Sequence, residues 1–299
     1  MARVIPTINS GSADHTDTVN SIYGLIETIA KQTFYRVESE NPLKSLYKGD
    51  VDYGTDIEQW MIQLTESYAF DKTATDALKA KDPTYVLRYF NNWTERQYEQ
   101  SVREDEIRKI LAKQSTPEEV AAKIIGNLKE SDEDENYENL KGVLALIKTE
   151  VDKTENQATS GGTATTATEF LKMVKNVVDK MKFMNSTYSV SGAKYRVPLS
   201  RIRIAMPYGV KNSVDVDALA SLFHVEKAEI LEKIDVIDTT DGIVYIYDEE
   251  AVVWHRRLSE LEPARNAKGR VTNYYYTVDD LFAFSPLFKA TYIDASAID

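Results

Sequence analysis

A helical stripe of more than thirty residues constrains this chain most. Thr116-Pro117-Glu118-Glu119 opens it with a capping hydroxyl, proline at the first helical position and acids at the positive end of the helix dipole. Val120, Ile124 and Leu128 share one face, and the stripe resumes at Leu140, Val143, Leu144, Ile147 and Val151. Between the halves stands an acidic run, Glu130 to Glu135. The pattern fits either one long helix or two helices with an acidic break. At about 1.5 Å per residue the single helix exceeds roughly 45 Å, long enough to be the backbone of a domain.

Upstream, residues 1–17 read as an arm punctuated by Pro6, Gly11 and Ser12. A helix follows, with Val19, Ile22, Tyr23, Ile26, Ile29 and Ala30 at three-and-four spacing. From Val51 to Tyr68 the period changes to two: Trp60, Ile62 and Leu64 alternate with Met61, Gln63 and Thr65. Tyr85 to Tyr98 is a second strand-like run, and the polar stretch Asp71 to Thr84 lies between them. This predicts a long two-stranded ribbon carrying Trp60, Tyr68, Phe70, Phe90 and Trp93. Such a ribbon is marginal alone in water, so it needs a surface to lie on, either a partner's or its own domain's.

Downstream, Asn156 to Thr168 is rich in Thr, Ser, Gly and Ala and reads as a linker to a second domain. That domain opens with a helix whose apolar face is Phe170, Leu171, Val174, Val177, Val178 and Met181. A strand at Arg201 to Met206 comes next, then a short helix through Val216, Leu219, Ala220 and Phe223. Strands at Ile234–Ile237 and Ile243–Tyr247 complete a mixed α+β pattern. Finally, Ala251 to Leu258 and Val271 to Val278 flank Arg265-Asn266-Ala267-Lys268-Gly269-Arg270, a hairpin with a basic bend. Gly and Asn tolerate the reversal. The bend is either a solvated tip or charge presented to a partner.

Composition narrows the function. The 299 residues contain no cysteine, which removes disulfides and thiolate chemistry and fits a reducing cytoplasm. No segment has the roughly 18 apolar residues of a membrane span. With 36 Lys and Arg against 48 Asp and Glu, the net charge of -12 argues against a protein whose task is gripping nucleic acid. His15, His224 and His255 share no metal-ligand spacing. Asp132-Glu133-Asp134-Glu135-Asn136 departs from a calcium loop at Tyr137 and Val143, and reads as a solvated acidic helix face. Phosphate-loop, nucleophile-elbow, zincin and dinucleotide motifs are lacking. The carboxylates Asp215 and Asp217, or Asp235 and Asp238, leave one enzymatic alternative, a carboxylate-based metal-dependent hydrolase; Asp215 and Asp217 also suit a helix cap.

Three segments carry a family resemblance. They are Asn41 to Gly49 with Gly54 to Glu58, Val214 to Phe223 continuing to Val236-Ile237-Asp238, and Arg265 to Tyr276 continuing to Ala283-Phe284. In this order they resemble the major capsid proteins of tailed phages, the Hong Kong 97 type, and most closely the head proteins of phi-29-like podoviruses. Asn273-Tyr274-Tyr275-Tyr276 behind Arg265-Asn266 and Gly269 is the most specific element. The resemblance implies an α+β fold with an N-terminal arm and helix (1–34) and an extended E-loop (35–104). It further implies a peripheral domain on a spine helix (105–160 and 251–299) and an axial domain (161–250). Longer relatives continue into an immunoglobulin-like domain, whereas this sequence stops at Asp299.

The implied function is a virion shell, an icosahedral or prolate head assembled in the host cytoplasm. Its subunits would form pentamers and hexamers around packaged double-stranded DNA that they enclose without specific binding. A separate scaffolding protein and a portal protein are the implied partners, with no membrane, no cofactor and no catalytic residue. Candidate inter-subunit contacts are Trp60, Tyr68 and Phe70 on the ribbon, and Lys268 and Arg270 in the basic bend, where that hairpin approaches a local three-fold axis.

Overall fold

The computed structural model describes residues 41–65, 67, 82–103, 117–214, 233–266 and 271–298. The chain divides into two compact units. One comprises Met1–Asn41, Thr94–Asn136 and Arg256–Asp280, and the other Pro42–Trp93, Tyr137–His255 and Leu281–Asp299. The expected N-terminal helix and the helix through Val216 to Phe223 lie outside the described residues.

The long helical stripe is one helix, α1 (Pro117–Val151). The acidic run does not break it, because its inward positions continue as Asp132 and Asn136, both buried.

The larger unit is built on a five-stranded sheet. Its strands are β4 (Gly162–Thr163), β5 (Ile202–Pro207), β6 (Ile234–Ile237), β7 (Ile243–Asp248) and β10 (Ala290–Asp294), in the order β4-β10-β7-β5-β6. β6 and β7 follow one another in sequence but do not pair; β5 lies between them, parallel to β6 and antiparallel to β7. Residues 290–294, which the sequence reading grouped with 251–299, return to this sheet against β7.

Every residue of β5 and β7 is buried, because both faces are covered. On one side α2 (Ala167–Lys182) packs Phe170, Val174, Val177, Val178 and Met181 against Ile204, Met206, Val244, Ile246 and Ile293. On the other, Leu140, Val143, Leu144 and Ile147 of α1 share a core with Ala205, Tyr245, Tyr247, Leu43 and Leu46. Alternate residues of each strand face opposite layers, as the period of two requires.

The Thr- and Gly-rich segment is not a spacer. Gly161 N–H donates to Tyr292 O at 2.7 Å and Ala164 N–H to Asp294 O at 2.8 Å, so the segment forms the sheet's edge. A Cβ on Gly161 would come within 2.6 Å of Ile293 Cγ1, so this glycine is a packing requirement. Thr166 then caps α2 by accepting from Glu169 N–H, while the Glu169 carboxylate accepts from Thr165 N–H.

The smaller unit holds most of a three-stranded sheet of β3 (Trp93–Arg103), β9 (Val271–Phe284) and β8 (Val252–Asn266), in the order β3-β9-β8. Side chains reveal its register. Gln97 bonds Thr277, Ser101 bonds Asn273, and the rings of Tyr98 and Tyr276 stack at 6.1 Å. On β8, Arg257 and Arg256 meet Asp279 and Asp280. Positions rise on one strand as they fall on the next, so both pairs are antiparallel. Residues 271–278 of β9 alternate half-buried and buried, with Tyr274 and Tyr276 inward.

Candidate functional site

The ribbon forms as β1 (Ile57–Ile62) paired antiparallel with β2 (Tyr85–Phe90). Its register places Glu58 opposite Tyr89, Trp60 opposite Leu87 and Ile62 opposite Tyr85. Directly opposed residues point to the same side of a ladder, so Trp60, Ile62, Tyr85, Leu87 and Tyr89 share one face. Trp60 is 58% exposed, Ile62 70%, Tyr85 56% and Tyr89 58%, and Leu64 just beyond is 72% exposed. These are five of the ten exposed large hydrophobic side chains among the described residues, gathered on one hairpin. The opposite face, with Ile57, Met61, Val86 and Phe90, is half-buried.

The apolar face is held in place by contacts within the chain. The Trp60 and Tyr85 rings lie 5.7 Å apart, and Trp60 Nε1 donates to Glu58 Oε2 at 3.1 Å, which leaves the indole without an unmet donor. The β-branched and aromatic residues favour the extended backbone, but two strands alone bury too little to keep such a face in water. The arrangement suits burial against another surface and offers no reacting group.

The ribbon springs from a firmly seated root. Leu43 and Leu46 are fully buried, and the Tyr47 ring lies 4.8 Å from Trp254. Lys48 N–H donates to Trp254 O at 3.0 Å.

In the smaller unit a four-charge ring ties α1 to the sheet. Asp132 accepts from Arg96 Nη2 at 3.3 Å and from Arg256 Nη2 at 2.8 Å. Asp280 closes the ring by accepting from Arg256 Nε at 2.7 Å and from Arg96. Asn136 accepts from Arg96 at 2.7 Å. Burial pushes the Asp132 carboxyl up, against the pull of Arg256 and Arg96.

Of the sequence-derived contact candidates, Trp60 stands exposed on the ribbon face. Tyr68, Phe70, Lys268 and Arg270 lie outside the described residues; Arg265, at the end of β8, is exposed. Phe90 and Trp93, grouped with them, are half-buried. Tyr85 and Tyr89 belong to the face and went unrecognised. The alternation Tyr85, Leu87, Tyr89 was visible, but only the pairing register puts it beside Trp60.

The carboxylates considered for metal chemistry are engaged separately. Asp235 accepts from Tyr247 Oη at 3.1 Å and lies 3.9 Å from Arg203 Nη1. Asp238 accepts from Lys141 Nζ at 2.8 Å and Tyr137 Oη at 2.9 Å. Asp215 and Asp217 lie outside the described residues. Nothing found supports the hydrolase alternative.

Comparison with known proteins agrees with this geometry. The family model described as Phi29-like phage major capsid protein matches residues 2–293. The major capsid protein of Bacillus phage GA-1 is 23% identical over 304 residues, covering 96% of this chain and 63% of that protein. That of Bacillus phage PZA is 22% identical over 273 residues, covering 86% and 59%. The chain thus spans about three fifths of the length of the curated relatives it matches. A chain in the capsid structure of Staphylococcus phage Andhra superposes with a TM-score of 0.69 at 14% identity, covering 98% of this chain and 88% of that one. At that identity the likeness shows the fold alone, and the fold is the α+β capsid fold of the Hong Kong 97 type.

Proposed function

This chain belongs to the Phi29-like phage major capsid protein family, and from that membership we propose that it self-assembles into the head shell enclosing phage double-stranded DNA. Pentamers and hexamers of the chain build the icosahedral or prolate shell, with a separate scaffolding protein and a portal protein as partners. The role is structural and uses no catalytic residue. Assembly takes place in the host cytoplasm, and the net charge of -12 suits a container that lets DNA move past its walls.

One observation carries this reading: the ordered apolar face of the ribbon, with Trp60, Ile62, Tyr85 and Tyr89 exposed in the single chain. In the shell this face lies on a neighbouring copy, and Tyr68 and Phe70 continue the contact. Lys268 and Arg270 meet acidic groups of adjacent copies near a local three-fold axis. The domain division is proposed with it: arm and helix 1–34, E-loop 35–104, peripheral domain 105–160 with 251–299, axial domain 161–250. The axial sheet receives β10 from the end of the chain.

Electron microscopy and sedimentation of the expressed chain, with and without a scaffolding partner, test the proposal. Uniform shells or capsomer rings are expected, and their loss in Trp60→Ser with Tyr89→Ser while far-UV circular dichroism is unchanged. A wild-type chain that stays a small oligomer under both conditions overturns the reading.

A further inference from the structure

The ribbon's direction is set where its root ends. Lys48, whose backbone is bonded to Trp254, also places its ammonium 3.5 Å from Glu250 and 3.9 Å from Glu249. The next residue, Gly49, has φ +108, a region that favours glycine, yet a Cβ there would meet nothing within 4 Å. Glycine therefore serves the direction of the backbone and not the space around it. From Asp50 to Asp56 every residue except Val51 is exposed, and β1 begins at Ile57. At this joint His255, adjacent to Trp254, places Nδ1 3.1 Å from Gly49 O.

We infer that His255 is a positioning residue for the ribbon: its Nδ1–H, held on the Gly49 carbonyl, fixes the angle at which the chain leaves its root and so where the Trp60 face is offered to a second copy. A carbonyl only accepts, so Nδ1 carries the proton. The neutral ring is then the Nδ1–H tautomer, and burial, which pushes the His255 pKa down, favours that neutral form. The charged ring would keep the same donor, so the hold persists when pH falls.

This inference rests on the proposed shell function, and two readouts keep the two apart. Hydrogen exchange of residues 46–56 in the unassembled subunit reports the joint, and shell yield by sedimentation reports its use. In His255→Ala, exchange at Lys48 and its neighbours rises about fivefold, the effect of one lost hydrogen bond, and shell yield falls. His255→Asn, whose side-chain amide nitrogen takes the place of Nδ1, restores both. If His255→Ala fails to fold, Gly49→Ala strains the same joint from the other side of the bond and lowers shell yield. Wild-type shell yield in His255→Ala or Gly49→Ala, or no recovery in His255→Asn, overturns the role of His255. Should the wild type form no shells, the shell proposal fails, and unchanged exchange in His255→Ala sinks the positioning role on its own.

Discussion

Asp235 lies 5% exposed between Tyr247 and Arg203, and its protonation couples folding to pH. Burial pushes its carboxyl up from 3.8 to about 6, outweighing the Arg203 charge and the Tyr247 hydrogen bond. The folded state therefore holds this proton more tightly than the unfolded chain. Its stabilising contribution is complete below about pH 4 and is lost as pH rises through about 6. Asn in place of Asp235 imitates the protonated form at every pH. In urea titrations from pH 4 to 7.5, wild type should therefore gain on Asp235→Asn as pH falls, by on the order of 3 kcal/mol across the range. A constant difference would show that the carboxyl is unshifted. Two residues before β6 ends, nothing in the sequence marks Asp235 as buried; its neighbours Arg203 and Tyr247 arrive from β5 and β7.

At the scale of elements, α1 shows both what the sequence reveals and what it conceals. The apolar spacing of Leu140, Val143, Leu144, Ile147 and Val151 was legible, and all five are buried. The apparent break at residues 130–135 was not a break, because the inward stripe turns from apolar to ionic at Asp132. Its partners Arg96, Arg256 and Asp280 lie far away along the chain, and local periodicity carries no trace of them. The same limit hid the edge strand at Gly161, whose role is set by Ile293. On the ribbon, alternation identified Trp60, whereas the rest of its face required a register. The ring also has a measurable weight. Truncating one partner leaves buried charges unmatched, so Asp132→Ala should lower stability by about 3–5 kcal/mol. Asp132→Asn, which keeps an acceptor in place, should cost less. Denaturation at equilibrium measures both; equal losses would mean that the charge, which both variants remove, carries the whole effect and the retained acceptor none.

For the molecule as a whole, the proposed shell raises the question of how copies carrying a net charge of -12 would associate at all. General electrostatics opposes it, so the proposal requires a local attraction: the apolar face of the ribbon and pairs of opposite charge. Weak contacts suffice. A roughly millimolar pair corresponds to about -4 kcal/mol, and several per subunit stabilise a shell while misplaced copies still leave. Lys268 and Arg270 are the cations of the β8–β9 connection, and at the proposed three-fold contact they would repel their own copies unless neighbouring acids answered them. Reversing both, Lys268→Glu with Arg270→Glu, turns each answered pair into a repulsion in a chain already rich in acid. Shell yield should fall while the thermal midpoint of the unassembled subunit is unchanged. Salt separates the contributions. Between about 0.15 and 1 M the screening length drops from roughly 8 to 3 Å, so high salt should return part of the yield if exposed charges cause the defect. Normal particles from the double variant at both low and high salt would remove the basic connection from the assembly mechanism and leave the ribbon face as its remaining support.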